Sequence, residues 1–219
     1  MIRKIGILIF VLFLAGGGFF YWQNNQKDIK ELNKTLPAGV KVVKNIFGFG
    51  NEYKVINKID GYEFKVPTEF MHRGGIEFIK YANITDDNEL GYRLSMDEKF
   101  QKIIISETAL VIQGRDGWDG TEIRRLKIEK DISLNDFIEE FKSRFLPKST
   151  ERLEIVPKVD MLQMGDFTVL KLSQSIKSLR TENTNSSTLF YFFRKNSAFY
   201  IIDHNSDNIV SEIIINGKW

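Results

Sequence analysis

Cysteine is absent from the 219 residues. That removes thiol nucleophiles, thiolate metal ligands and any disulfide framework, and it leaves oxidising and reducing compartments equally open. Histidine is nearly absent as well. His72 and His204 are the only two, so a histidine-centred triad or a two-histidine metal site would have to use one or both. No Gly-x-Ser-x-Gly, His-Glu-x-x-His, phosphate-loop lysine or dinucleotide fingerprint occurs, which takes the simplest sequence support from hydrolase and nucleotide mechanisms. Charge of one sign is lacking too. Arg3 and Lys4 are the only charged residues before Gln23, and from there on 29 basic residues face 29 acidic ones. The bulk of the chain is formally neutral, so net charge gives no steering toward nucleic acid.

What is present begins with a basic tip, residues 1–4, followed by eighteen residues from Ile5 to Trp22 without a charge. As a helix this run spans about 27 Å, close to the hydrocarbon thickness of a bilayer. It is expected to be a single transmembrane anchor over 5–22, with the tip cytoplasmic, Tyr21 and Trp22 in the interfacial aromatic belt, and the following domain extracytoplasmic. The alternative is a cleaved signal peptide, because Ile5 to Leu14 is a short apolar core and Ala15-Gly16-Gly17 supplies small residues for cleavage. The domain would then be secreted and soluble.

Residues 23–37 read as a polar, helical stalk with Ile29, Leu32 and Leu36 on one stripe, which could equally pack on the domain, ended by Pro37. Residues 38–219 read as one domain, long enough to bury about 70% of its unfolded surface without staples. Strands are expected at Val40–Val43, Tyr53–Ile56, Tyr62–Val66, Ile76–Tyr81, Leu90–Ser95, Lys102–Ile112, Thr121–Ile128, Arg152–Val156, Phe167–Leu172, Thr188–Phe193 and Ala198–Ile202. Thr181 to Thr188 reads as a polar loop. Two helices stand out. One starts after Ser133 and puts Leu134, Phe137, Ile138, Phe141 and Phe145 on one face; the other follows Ser206 or Asp207 and turns Ile209, Val210, Ile213 and Ile214 inward. The expected fold class is α+β: a transmembrane helix, then a mostly antiparallel sheet with helices packed on both faces.

Four stretches resemble the PsbP-like family: Tyr62-Glu-Phe-Lys-Val-Pro67 its opening strand, Ser133-Leu-Asn-Asp-Phe137 its central helix, Phe190 to Ile202 its terminal hairpin, and Ile209 to Trp219 its closing helix. The resemblance covers roughly residues 50–219. It implies a non-enzymatic binding or assembly module, in some members holding metal ions on acidic residues. The expected function is accordingly a membrane-tethered, non-catalytic module that binds or organises a protein partner at the cell envelope. The rival is an envelope hydrolase whose carboxylates converge only in the fold.

Two constellations are candidate sites. Asp203, Asn205 and Asp207 place oxygen ligands at positions one, three and five of a calcium-like loop, but the twelfth position is Ile214 rather than Glu, and a strand-to-helix turn uses the same residues. Trp118, between Asp116 and Asp119 in a glycine-rich turn, either folds back on the sheet or serves as a partner contact. Glu139 and Glu140 are adjacent on a helix and point apart, as a solvated face does.

Overall fold

The computed structural model describes residues 27, 29–44, 52–67, 76–81, 104–112, 120–128 and 132–219. Helix α1 covers residues 29–35. It is followed by β1 (Val40–Lys44), β2 (Glu52–Asn57), β3 (Tyr62–Pro67), β4 (Ile76–Tyr81), β5 (Ile104–Ile112) and β6 (Thr121–Ile128). Helix α2 (Leu134–Phe145) leads to β7 (Leu153–Met164), β8 (Phe167–Ser178), β9 (Thr184–Lys195), β10 (Ala198–Asp203) and helix α3 (Asp207–Asn216). The strands form two sheets, a small one in the order β1-β2-β3 and a large one in the order β4-β5-β6-β10-β9-β8-β7. Their registered pairs are all antiparallel.

Period-two patterning sorts the side chains of the large sheet onto two faces. On the first, Leu110, Ile123, Tyr191, Phe193, Tyr200 and Ile202 pack with Val55, Tyr62 and Phe64 of the small sheet and with Val210, Ile213 and Ile214 of α3. On the second, Leu126, Leu172, Phe192, Phe199 and Ile201 pack under Phe137, Ile138 and Phe141 of α2. The central strand β10 is therefore buried from Ala198 to Ile202, which explains its unbroken apolar run. Ser133 caps α2 by accepting the Asp136 N–H at 3.1 Å, and the Phe137 and Phe199 rings stack at 4.5 Å.

This is a mostly antiparallel β protein with three short helices, which corrects the expected α+β class headed by a transmembrane helix. No helix among the described residues is long and apolar enough to cross a membrane. Residues 5–22, including Tyr21 and Trp22, on which the sequence places the anchor, lie outside the described residues, as does Leu90–Ser95. The single expected sheet is two sheets, because among the described strands β1 to β3 register only with one another, and they cover a face that the sequence pattern gives to helices. Thr184 to Thr188 is strand rather than loop: its polar side chains lie opposite the polar Ser173 to Lys177 of β8, where the Ser175 and Ser186 hydroxyls meet at 3.0 Å. On α1, Ile29 is buried, as is Leu36 just beyond it, so this segment packs on the domain and is not a free stalk.

One buried polar group joins the two sheets. The β2–β3 turn is closed by Asn57, whose side chain accepts the Asp60 N–H at 3.1 Å, and by Gly61 at φ +79°, a conformation that favours glycine. The turn aims Asp60 at the large sheet. There its carboxylate accepts from Thr108 Oγ1 at 2.9 Å, from Arg125 at 3.3 Å, and from Asn57 Nδ2 at 2.8 Å. Beside it Trp219 fills the space between the sheets, 5.4 Å from the Tyr62 ring, 4.9 Å from Phe193 and 5.1 Å from Tyr200. Its indole donates to the Ile214 carbonyl at 3.1 Å, while Lys218 and Glu63 exchange backbone hydrogen bonds.

Two substitutions test this architecture. Phe141→Asp puts an unpaired charge under α2 and is expected to cost about 4 kcal/mol in denaturant unfolding. Asp60→Ala leaves Arg125 without its carboxylate in a buried seam and is expected to cost about 3 kcal/mol. An unchanged midpoint in either case would mean that the face, or the seam, is misassigned.

Candidate functional site

On β6, Glu122 and Arg124 are two residues apart and so share the second face with Leu126. Cross-strand register supplies the rest of a charged cluster. Asp203, at the end of β10, lies directly opposite Glu122, and Glu107 of β5 lies opposite Leu126, one diagonal step from Arg124. Arg124 donates to Glu122 Oε1 through Nε at 2.5 Å and to Glu107 Oε1 at 3.3 Å. Three carboxyls thus surround one guanidinium where the apolar cluster under α2 ends. Burial pushes the Glu107 carboxyl up to about 7, against the opposing pull of Arg124. Asp203 is raised to about 6, by burial against the sheet and by the like charge of Glu122. Much of the Asp203 residue surface is open to solvent, so we assign the larger energetic effect to Glu107, which is 1% exposed.

The calcium-like set does not come together. Asp203 faces Glu122, whereas Asp207 is turned toward the opposite face of the sheet, where it accepts from the Tyr191 hydroxyl and pairs with Lys171 at 2.7 Å. The hydrogen bonds from Lys171 and Tyr191 hold the Asp207 carboxyl below its ordinary range. Asn205 is exposed between them. Among the described residues, no group of three or more histidine, aspartate or glutamate side chains is placed to hold a metal ion. His204 is buried, with Nδ1 3.2 Å from the Thr121 hydroxyl. Trp118, Asp116, Asp119 and His72 lie outside the described residues. Sequence spacing missed Glu107, Glu122 and Arg124, and the only local signal was a glutamate inside the apolar strand Ile104–Ile112.

A second feature is the outer edge of β7. Among the described residues this strand pairs with β8 alone, and Val156 and Met161 are 51% and 67% exposed on it. Alongside runs an open groove of about 360 Å³, walled by Leu134, Met161, Phe167 and Leu170, with Asp166 and Arg194 among its polar lining. Neither this groove nor the smaller one between α2 and Pro157 is lined by any member of the carboxylate cluster. The cluster orders Arg124 between carboxyls, while the β7 edge carries the exposed Val156 and Met161 beside the groove.

The raised carboxyls have a consequence for stability. Their folded values lie above the unfolded ones of 4.5 and 3.8, so between about pH 4 and 7 the folded state holds more protons than the unfolded chain. Stability should therefore rise, by on the order of 2 kcal/mol, as pH is lowered from 7.5 to 5. Glu107→Gln should flatten most of that slope in urea unfolding at a series of pH values. A flat profile for the wild type would refute the assignment.

Comparison with protein-family models and with curated proteins finds no match to the chain, so the PsbP-like resemblance rests on the four quoted stretches alone.

Proposed function

We propose that the domain is a non-catalytic module that binds a protein partner outside the cytoplasm, at the cell envelope. The observation that carries this reading is the β7 edge: an outermost strand of twelve residues, with exposed Val156 and Met161, bordering an apolar-walled groove. A surface of this kind suits another polypeptide better than a small substrate, because it is open and elongated. The location is supported by residues 1–22, whose basic tip and apolar run suit export whether or not the segment is cut. Trp118, flanked by Asp116 and Asp119, is a second contact proposed from sequence.

The rival reading draws on Glu107 and Asp203. A general acid with a value near 7 is what a hydrolase would use, but it must also lie within hydrogen-bond reach of the bond it protonates. Glu107 is enclosed, with one oxygen committed to Arg124. That favours the binding module.

The test is capture of partners from cell envelopes with the full chain, followed by reconstitution with the purified partner. Met161→Asp or Trp118→Ala is expected to weaken the reconstituted complex at least roughly tenfold, as loss of a central contact does. Retention of no partner, together with turnover of a cell-wall polymer that Glu107→Gln abolishes, would establish the hydrolase instead.

A further inference from the structure

Resting on the reading of the domain as a protein-binding module, we propose that the partner binds by strand addition. An extended segment of the partner lies along β7 from Val159 to Gln163 and places one large apolar side chain in the groove beside Met161.

The backbone of β7 fixes where such a segment can go. Successive residues of an edge strand point their N–H and C=O groups alternately inward and outward. Leu153 exchanges hydrogen bonds with Thr150 at 2.8 and 3.3 Å, and Ile155 donates to the Ser149 hydroxyl at 2.9 Å. Arg152 instead offers its carbonyl to Leu179, on the β8 side, at 2.9 Å. Odd-numbered residues of β7 therefore face outward, and the uninterrupted register with β8 carries this parity through to Met164. Pro157 falls on an outward position, where its missing N–H costs the β7–β8 ladder nothing. The next outward residues are Val159, Met161 and Gln163, and their backbone groups have no hydrogen-bond partner among the described residues.

The chain's own residues 149–150 thus already occupy the first rungs of the lane outside β7, and the proposed segment continues that lane. Met161 is the most exposed of the large apolar side chains on this strand, and it forms one wall of the groove with Leu134, Phe167 and Leu170. An incoming strand sends alternate side chains to that face, so one of them enters the groove while the backbone pairs.

A second copy of this chain fits less well. The register that sets Lys158 opposite Asp160 of another copy is centred on Val159. It would lay positions 163 and 165 of that copy across the rungs of Ile155 and Leu153, which Ser149 and Thr150 already fill. A free segment can end or turn away at that point, whereas a second β7 strand in this register continues into it.

The experiment immobilises the full chain and pans it against a library of random linear peptides. Enriched peptides are expected to carry an apolar residue within a period-two pattern. Their affinity should fall roughly tenfold for Val159→Pro, the equivalent of one lost backbone hydrogen bond. This variant removes an outward donor and leaves the β7–β8 ladder intact, and Val159→Ala, which loses the same packing under α2 but keeps the N–H, is the control: its thermal midpoint should match that of Val159→Pro while its peptide affinity stays near the wild type. Backbone N-methylation of a bound peptide should abolish binding at every second position and be tolerated at the positions between. Equal binding to Val159→Pro, or methylation effects without period two, or no enrichment, would overturn strand addition. If the partner captured from envelopes still bound in any of those cases, the module reading would stand while this mode fell. Concentration-dependent self-association that Val159→Pro removes would make a second copy the occupant and overturn the proposal as well.

Discussion

The contact on which the rest of the structure depends is the Asp60 carboxylate held between Asn57, Thr108 and Arg125. Two sheets packed face to face by apolar area alone can slide, because the hydrophobic effect has no direction. Asp60 supplies direction, since its oxygens meet donors from a turn of the small sheet and from two different strands of the large one. Burying such a pair seldom adds much net stability, as desolvation offsets most of the attraction. Its contribution is to make other alignments costly, because each would leave Arg125 or Asp60 buried without a counter-charge. The neighbouring phenols follow from the same burial: Tyr62 and Tyr200 sit so far from water that their hydroxyls are held protonated well above the ordinary range.

With the sheets fixed, the chain closes around Trp219. The indole stacks on Tyr62 and Phe64 of one sheet and meets Phe193 and Tyr200 of the other edge-on. The backbone bridge between Lys218 and Glu63 makes the last residues a further rung beside β3. Helix α3 is thereby held over the first face, opposite α2 on the second, and both faces of β10 are dry.

How much of this could be read from sequence depends on whether a feature is local. Tyr62 to Val66, Thr121 to Ile128 and Ala198 to Ile202 were legible because each strand's pattern reflects its own burial, and α2 because its apolar stripe and Ser133 cap are contiguous. The second sheet was not legible, since nothing in β1 to β3 says that they pair only with one another. The far halves of β8 and β9 were missed for another reason: Ser173 to Ser178 and Thr184 to Thr188 extend past the core and stabilise each other by backbone pairing and hydroxyl contacts, so apart from Ile176 they carry no apolar signal. The site failed similarly. Asp203 and Asp207 have calcium-like spacing, but the turn into α3 sends them to opposite faces of the sheet, and the neighbours Asp203 does acquire, Glu122 and Arg124, are eighty residues distant.

The edges of the large sheet raise a last question, because an outermost strand with open backbone groups is a hazard for any soluble chain. On β7 the hazard is managed at one end and not the other. Ser149 and Thr150 fold back over the rungs of Ile155 and Leu153, and Pro157 removes the next donor, so uncontrolled pairing is blocked from that side. Beyond Pro157 no such device occurs among the described residues, although Lys158 and Asp160 still place charge on one face. A strand selected only against aggregation would carry its protection to Met164. Among the described residues the open rungs are confined to three outward positions beside an apolar groove, the arrangement that the proposed addition of a short extended segment would use and that full protection would abolish.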